Sequence, residues 1–131
     1  MKRRFLFGLL PVLAAYMMVG VIAFAGSNAT QRRALPLGRY ACVRADDSSP
    51  LPDLKLLSRD KYENADKGGI YVYEAGLGRI EWLTGPIPKQ RVGFYIPKGG
   101  DNAQSDTIVI RDRKDVDEGV ERDLWRCNLA Q

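Results

Sequence analysis

The sequence predicts an all-β domain, a small antiparallel β-barrel with a β-sandwich as the alternative, preceded by one N-terminal hydrophobic helix. Three observations carry this. From Gly38 onward the chain is a series of short runs, rich in β-branched and aromatic residues, with apolar side chains at every second position. Gly, Pro, Asn and Asp punctuate these runs at a spacing of roughly 12 residues, as in barrels and sandwiches. Two cysteines, Cys42 and Cys127, stand near the two ends of the same region.

The elements follow in order. Residues 1–25 form a signal-anchor helix or a signal peptide, residues 26–37 a polar linker, and residues 38–131 a disulfide-closed β domain. Strands are expected over Arg39–Ala45, Asp53–Ser58, Ile70–Ala75, Arg79–Thr84, Arg91–Pro97, Thr107–Arg111 and Arg122–Leu129. Ile80 and Trp82 share a face, as do Val92, Phe94 and Ile96, and these read as inward rows. Trp125 and Cys127 facing Tyr40 and Cys42 would lay the last strand against the first, which closes the sheet edge. An immunoglobulin sandwich fits poorly, because Trp82 lies too far beyond Cys42 and Trp125 stands where a Tyr is expected.

Phe5–Ala25 is an uncharged run of 21 residues behind Lys2, Arg3 and Arg4. As a helix it is about 31 Å long, enough to cross a bilayer, and the preceding basic residues direct everything after it outward. Its length favours a retained anchor. Ala23-Phe24-Ala25, followed by the polar Gly26-Ser27-Asn28, favours cleavage instead. No cysteine stands directly behind the run, so it does not read as a lipoprotein anchor. Both readings place the β domain outside the cytoplasm, on the periplasmic side of the inner membrane or secreted.

The formal charge of +4 does not make this a nucleic-acid binder. Lys2, Arg3, Arg4, Arg32 and Arg33 lie before the β domain; setting them aside leaves 15 of the 20 basic residues against 16 acidic ones. A nucleic-acid partner needs that excess on the folded surface. In an exported chain the two cysteines are expected to pair. Closing a loop of about 85 residues would contribute on the order of 4–5 kcal/mol in the chain-entropy account.

Enzymatic constellations are few. The chain has no histidine, which removes His-based nucleophilic triads and His-ligated metals together. Ser58-Arg59-Asp60-Lys61 spells Ser-x-x-Lys at a strand end rather than at a helix N-terminus. Glu74 and Glu81 alternate outward on a hairpin, like ordinary surface charges. Asp112, Asp115, Asp117 and Glu118 lack calcium-loop spacing and stand among Arg111, Arg113 and Lys114, so they read as a solvated hairpin loop. No cofactor and no metal are expected, and the domain reads as non-enzymatic.

One strand departs from simple alternation. Ile70-Tyr71-Val72-Tyr73 is apolar or aromatic on both faces, where a barrel wall needs only one. Tyrosine suits recognition surfaces because it joins contact area to a polar tip. Tyr71, Tyr73 and Tyr95 are therefore the candidate binding residues, placed together on the outer or ligand side.

The layout Gly38-x-Tyr40-x-Cys42, Leu54-x-Leu56, Tyr62, Gly69-x-Tyr71-x-Tyr73, Ile80-x-Trp82-x-x-Gly85-Pro86 and Trp125-x-Cys127 resembles a loose group of uncharacterised bacterial exported proteins with small β domains. The likeness spans the folded region and rests on structural motifs, so it implies no activity. The barrel-plus-disulfide layout also resembles the periplasmic lysozyme inhibitors of bacteria. Their inhibitory Ser-Gly-x-x-Tyr loop has no counterpart here, so no functional residue is carried over. The expected function is that of a membrane-tethered interaction module with a protein partner, an accessory subunit of a membrane complex. The alternative is a cleaved, freely periplasmic or secreted binder or inhibitor.

Overall fold

The alternating runs form eight antiparallel strands in a computed structural model whose described residues are Ala34–Ala130. The strands are β1 (Gly38–Arg44), β2 (Leu54–Leu56), β3 (Lys61–Asn64), β4 (Lys67–Glu74), β5 (Arg79–Trp82), β6 (Arg91–Ile96), β7 (Thr107–Asp112) and β8 (Asp123–Leu129). Each pairs with its neighbours in sequence, and β8 returns to β1, so the sheet closes as an up-and-down barrel rather than splitting into a sandwich. Closure leaves no edge of unpaired amides. The hydrophobic segment 5–25 and its expected helix lie outside the described residues. Among the described residues no helix is long and apolar enough to cross a membrane.

The seam forms where sequence parity puts it. In the β1–β8 register Cys42 stands opposite Cys127, Tyr40 opposite Leu129 and Arg44 opposite Trp125. Cys42 and Cys127 are bonded.

Strand β3 has no counterpart among the runs read from sequence. It is joined to β4 by the two-residue loop Ala65-Asp66, both left-handed at φ 52° and 63°. Two successive positive φ values give the turn whose twist matches a hairpin. Ala-Asp lacks the glycine that normally announces it, which hid both the turn and the strand before it.

Side chains of the barrel fill its own lumen. Tyr40, Leu54, Leu56, Tyr62, Tyr71, Ile80, Trp82, Ile108 and Ile110 are all at most 2% exposed. Leu35, from the stretch read as linker, is also buried and joins this core. Eight strands leave an interior just wide enough for side chains. Tyr62 ties the lumen to the β5–β6 loop: its hydroxyl donates to the Thr84 carbonyl at 2.9 Å and accepts from the Ile87 amide at 3.0 Å. The loop comes this close because Gly69 and Gly85 lack side chains. A Cβ on Gly69 would run into the Thr84 carbonyl and the Tyr62 ring, and Gly85 sits at φ 100°.

Strand β6 corrects the sequence reading. Its inward row is Gly93 and Tyr95, and Val92, Phe94 and Ile96 face outward. The ladder fixes this, since Gly93 pairs with inward Ile80 and Ile110, while Val92 pairs with outward Glu81 and Arg111. At Gly93 a Cβ would stand 3.1 Å from both Ile80 and Trp82, so even a methyl group there would press on its neighbours. A glycine cannot register in an apolar-alternation pattern, so the outer row looked like the core row. Val92 and Val109 are nonetheless 0% exposed. Their ladder neighbours Glu81, Phe94, Arg111 and Arg126 account for that cover, with the Arg111 guanidinium 5.2 Å from the Phe94 ring centroid. Long arginine stems shield apolar surface while their heads stay wet.

The acidic stretch after β7 is more ordered than a solvated loop. It contains the short helix α1 (Arg113–Asp117), whose N-cap Asp112 accepts a hydrogen bond from the Lys114 amide.

Candidate functional site

The three candidate tyrosines lie on the inner face of the barrel, not the outer one. Tyr71 is 1% exposed and donates to the Ser58 carbonyl at 2.6 Å. Its ring meets those of Tyr62 and Trp82 at 6.3 Å between centroids in each case. Tyr73 and Tyr95 do come together, edge to face at 6.4 Å. The Tyr95 hydroxyl donates to Asp106 at 2.7 Å, and the same carboxylate oxygen accepts from the Lys98 amide at 3.0 Å. Tyr40 completes this end of the lumen, donating to the Pro36 carbonyl at 2.7 Å. Burial, then the nearby Tyr95 and Asp106, push its hydroxyl pKa far above the ordinary tyrosine value. Burial raises Tyr62, Tyr71 and Tyr73 as well.

The strand does have a surplus apolar face, but a different one. Ile70 and Val72 point outward at 42% and 44% exposure. Leu83, also exposed, lies beside Ile70, donating its amide to the Ile70 carbonyl.

The outer face of β5–β8 carries a network of charges. Glu81 is held by Arg79, at 2.7 Å, and by Arg113. The Arg113 hydrogen bond, with Arg79 behind it, holds the Glu81 carboxyl below the usual carboxylate range. Glu74 stands opposite Arg79 in the β4–β5 ladder. Among the described residues no group of acidic side chains is arranged to hold a metal ion.

The two ends of the barrel differ. At one, Leu35, half-buried Leu129 and the tyrosine cluster belong to the packed core. At the other an open-sided cavity of about 440 Å3 lies between β1, β6 and β8. Its walls are Arg44, Arg91 and Arg122, and half-buried Leu51 and Trp125 form an apolar floor packed on the core. Arg44 continues the inward row of Tyr40 and Cys42, and Arg91 that of Tyr95 and Gly93. Arg44 is engaged by Asp46 at 3.2 Å and Asp47 at 3.9 Å. Among the described residues neither Arg91 nor Arg122 is ion-paired.

A β-bulge shapes this mouth. Ile110 pairs with Trp125, yet the next residue, Arg111, pairs with Asp123, so β8 carries one extra residue at Leu124. Without it Asp123 would share the inward row of Trp125 and stand beside the arginines. The bulge turns it outward instead, where its two oxygens meet Arg111 at 2.7 Å and Arg126 at 3.1 Å. Bulges commonly re-aim a side chain in this way.

The sequence signal for the mouth was the parity that placed Trp125 with Cys127, extended by one step to Arg44. Arg91 was hidden by the inverted reading of β6. Compared with protein-family models, curated proteins and solved structures, the chain has no match.

Proposed function

We propose that this protein is an extracytoplasmic, non-enzymatic interaction module, held at the membrane by Phe5–Ala25 as an accessory subunit of a membrane assembly. The observation that carries the reading is the filled lumen. Tyr62, Tyr71 and Trp82 occupy the space in which a larger barrel would carry a ligand. Binding is thereby left to the outer wall and the open mouth, as suits a docking module. The internal disulfide agrees with an oxidising compartment.

Gentle detergent extraction followed by native sizing tests this. A tethered subunit is found in the membrane fraction and migrates well above its own 14.6 kDa plus detergent. Recovery only as a lone chain would contradict the assembly. Ala23-Phe24-Ala25 favours the second reading, a cleaved periplasmic or secreted binder, which predicts the protein in the soluble fraction.

A further inference from the structure

We propose that the open mouth between β1, β6 and β8 binds a carboxylate carried on an apolar body. Arg91 and Arg122 would hold the carboxylate, and Trp125 and Leu51 would receive the apolar part. The inference rests on the reading of the domain as a binding module and gives that module a ligand class.

Several features converge on it. The cavity, about 440 Å3, lies in the range that takes small ligands or the end of a peptide. Its charge is incompletely answered: three guanidinium groups face two bordering carboxylates, Asp46 and Asp123. Asp46 is taken by Arg44, and Asp123 by Arg111 and Arg126. Asp47 also engages Arg44, so among the described residues Arg91 and Arg122 are the mouth guanidiniums without an ion pair, which suits an anionic ligand. Half-buried Arg91 lines the mouth and makes no ion pair among the described residues, its ladder neighbour Asp112 capping the short helix instead, and desolvating an unpaired cation is costly. A bound carboxylate would offset that cost through a forked, charge-assisted pair.

The floor supplies the second half of the specificity. Trp125 is one of two tryptophans, and unlike Trp82 it is only half-buried. A flat indole beside Leu51 offers contact to a ring or an alkyl chain, and indoles and guanidiniums recur together at binding hot spots. The bulge at Leu124 adds to this. It turns Asp123, at the border of the mouth, outward onto Arg111 and Arg126, so that its charge is spent there.

Binding to the purified full-length chain, in neutral detergent where its hydrophobic segment requires it, tests the proposal by calorimetry and tryptophan fluorescence. The probes are 3-phenylpropanoate and its uncharged amide, and a short peptide ending in Leu-Phe with a free or an amidated C-terminus. The acid forms are expected to bind saturably, at least about tenfold more tightly than the amides, as loss of a charge-assisted contact implies. Preference for the free acid or for the peptide identifies the source of the carboxylate. Arg91→Gln with Arg122→Gln should weaken binding at least about tenfold, and Trp125→Phe should abolish the fluorescence response. Arg59→Gln, in the β2–β3 turn at the opposite end, should change neither. Exposed Arg122→Gln alone keeps the test decisive if the double variant folds poorly. Equal affinity for acid and amide, no saturable binding, or unchanged binding in Arg122→Gln would each overturn the proposal. Tethering is read separately from mass and fractionation, so either reading can fail alone.

Discussion

Cys42 and Cys127 stand directly opposite each other in the β1–β8 ladder and are bonded, so a single covalent link closes the seam at which the first strand meets the last. The 85-residue separation makes this link a global one: nearly the whole barrel lies inside the loop it closes.

Breaking it should therefore lower stability by about 4–5 kcal/mol in the chain-entropy account. The double variant Cys42→Ser with Cys127→Ser is the clean comparison, since it leaves no lone thiol. Urea unfolding should show a strongly reduced midpoint. A midpoint within experimental error of the parent would mean that the ladder alone holds the seam.

A second prediction concerns the contact of Gly69 and Gly85 beneath the Tyr62 hydroxyl. Gly69→Ala should cost about 2–3 kcal/mol, because the new methyl meets backbone and a locked ring rather than a movable side-chain end. Gly76→Ala, whose Cβ has nothing within 4 Å, should stay within about 0.5 kcal/mol of the parent. Equal effects in denaturant titrations would refute the close approach.

The two faces of β4 should separate cleanly. Tyr71→Ser empties part of the lumen and strands the Ser58 carbonyl, and a loss of about 3 kcal/mol or more is expected. Ile70→Ser and Val72→Ser remove exposed side chains and should each shift stability by less than about 1 kcal/mol. Thermal melts showing the reverse order would invert the assignment of the faces.

Glu81 should shape the acid limb of the stability curve. Its folded pKa is depressed by Arg113 and Arg79, so the native state holds this carboxylate ionised more firmly than the unfolded chain does. The stability it contributes is present above the unfolded glutamate value, near 4.3, and is lost as pH falls through the lower folded value. Glu81→Gln should flatten the acid limb of the stability curve below about pH 4.5 while lowering the neutral plateau. An unchanged acid limb would show that the bridge contributes nothing.

The fold was legible where alternation was unbroken. Tyr40 and Cys42 at one end, with Trp125 and Cys127 at the other, were enough to bring the first and last strands together. Two small residues defeated the same logic. Gly93 contributes no side chain to the inner row of β6, which gave that role to Val92, Phe94 and Ile96. Ala65 adopts a left-handed conformation that sequence statistics reserve for glycine and asparagine, which concealed β3. The candidate site shows a related limit. The apolar surplus on Ile70-Tyr71-Val72-Tyr73 was visible, but a strand does not say which of two apolar faces is the inner one. Closure of the barrel decides that, and it takes the tyrosines. The arginine mouth needed more still, because a bulge at Leu124 changes the parity of β8 and no local pattern marks it.

The most direct test of a tethered, oxidised extracytoplasmic module is the intact mass of the protein recovered from cells, with thiols alkylated before and after reduction. The account predicts a chain in the membrane fraction that retains Phe5–Ala25, takes up no label before reduction and takes up two labels after it. A mass beginning at Gly26 in the soluble fraction would contradict the tether, and two labels before reduction would contradict the closed seam.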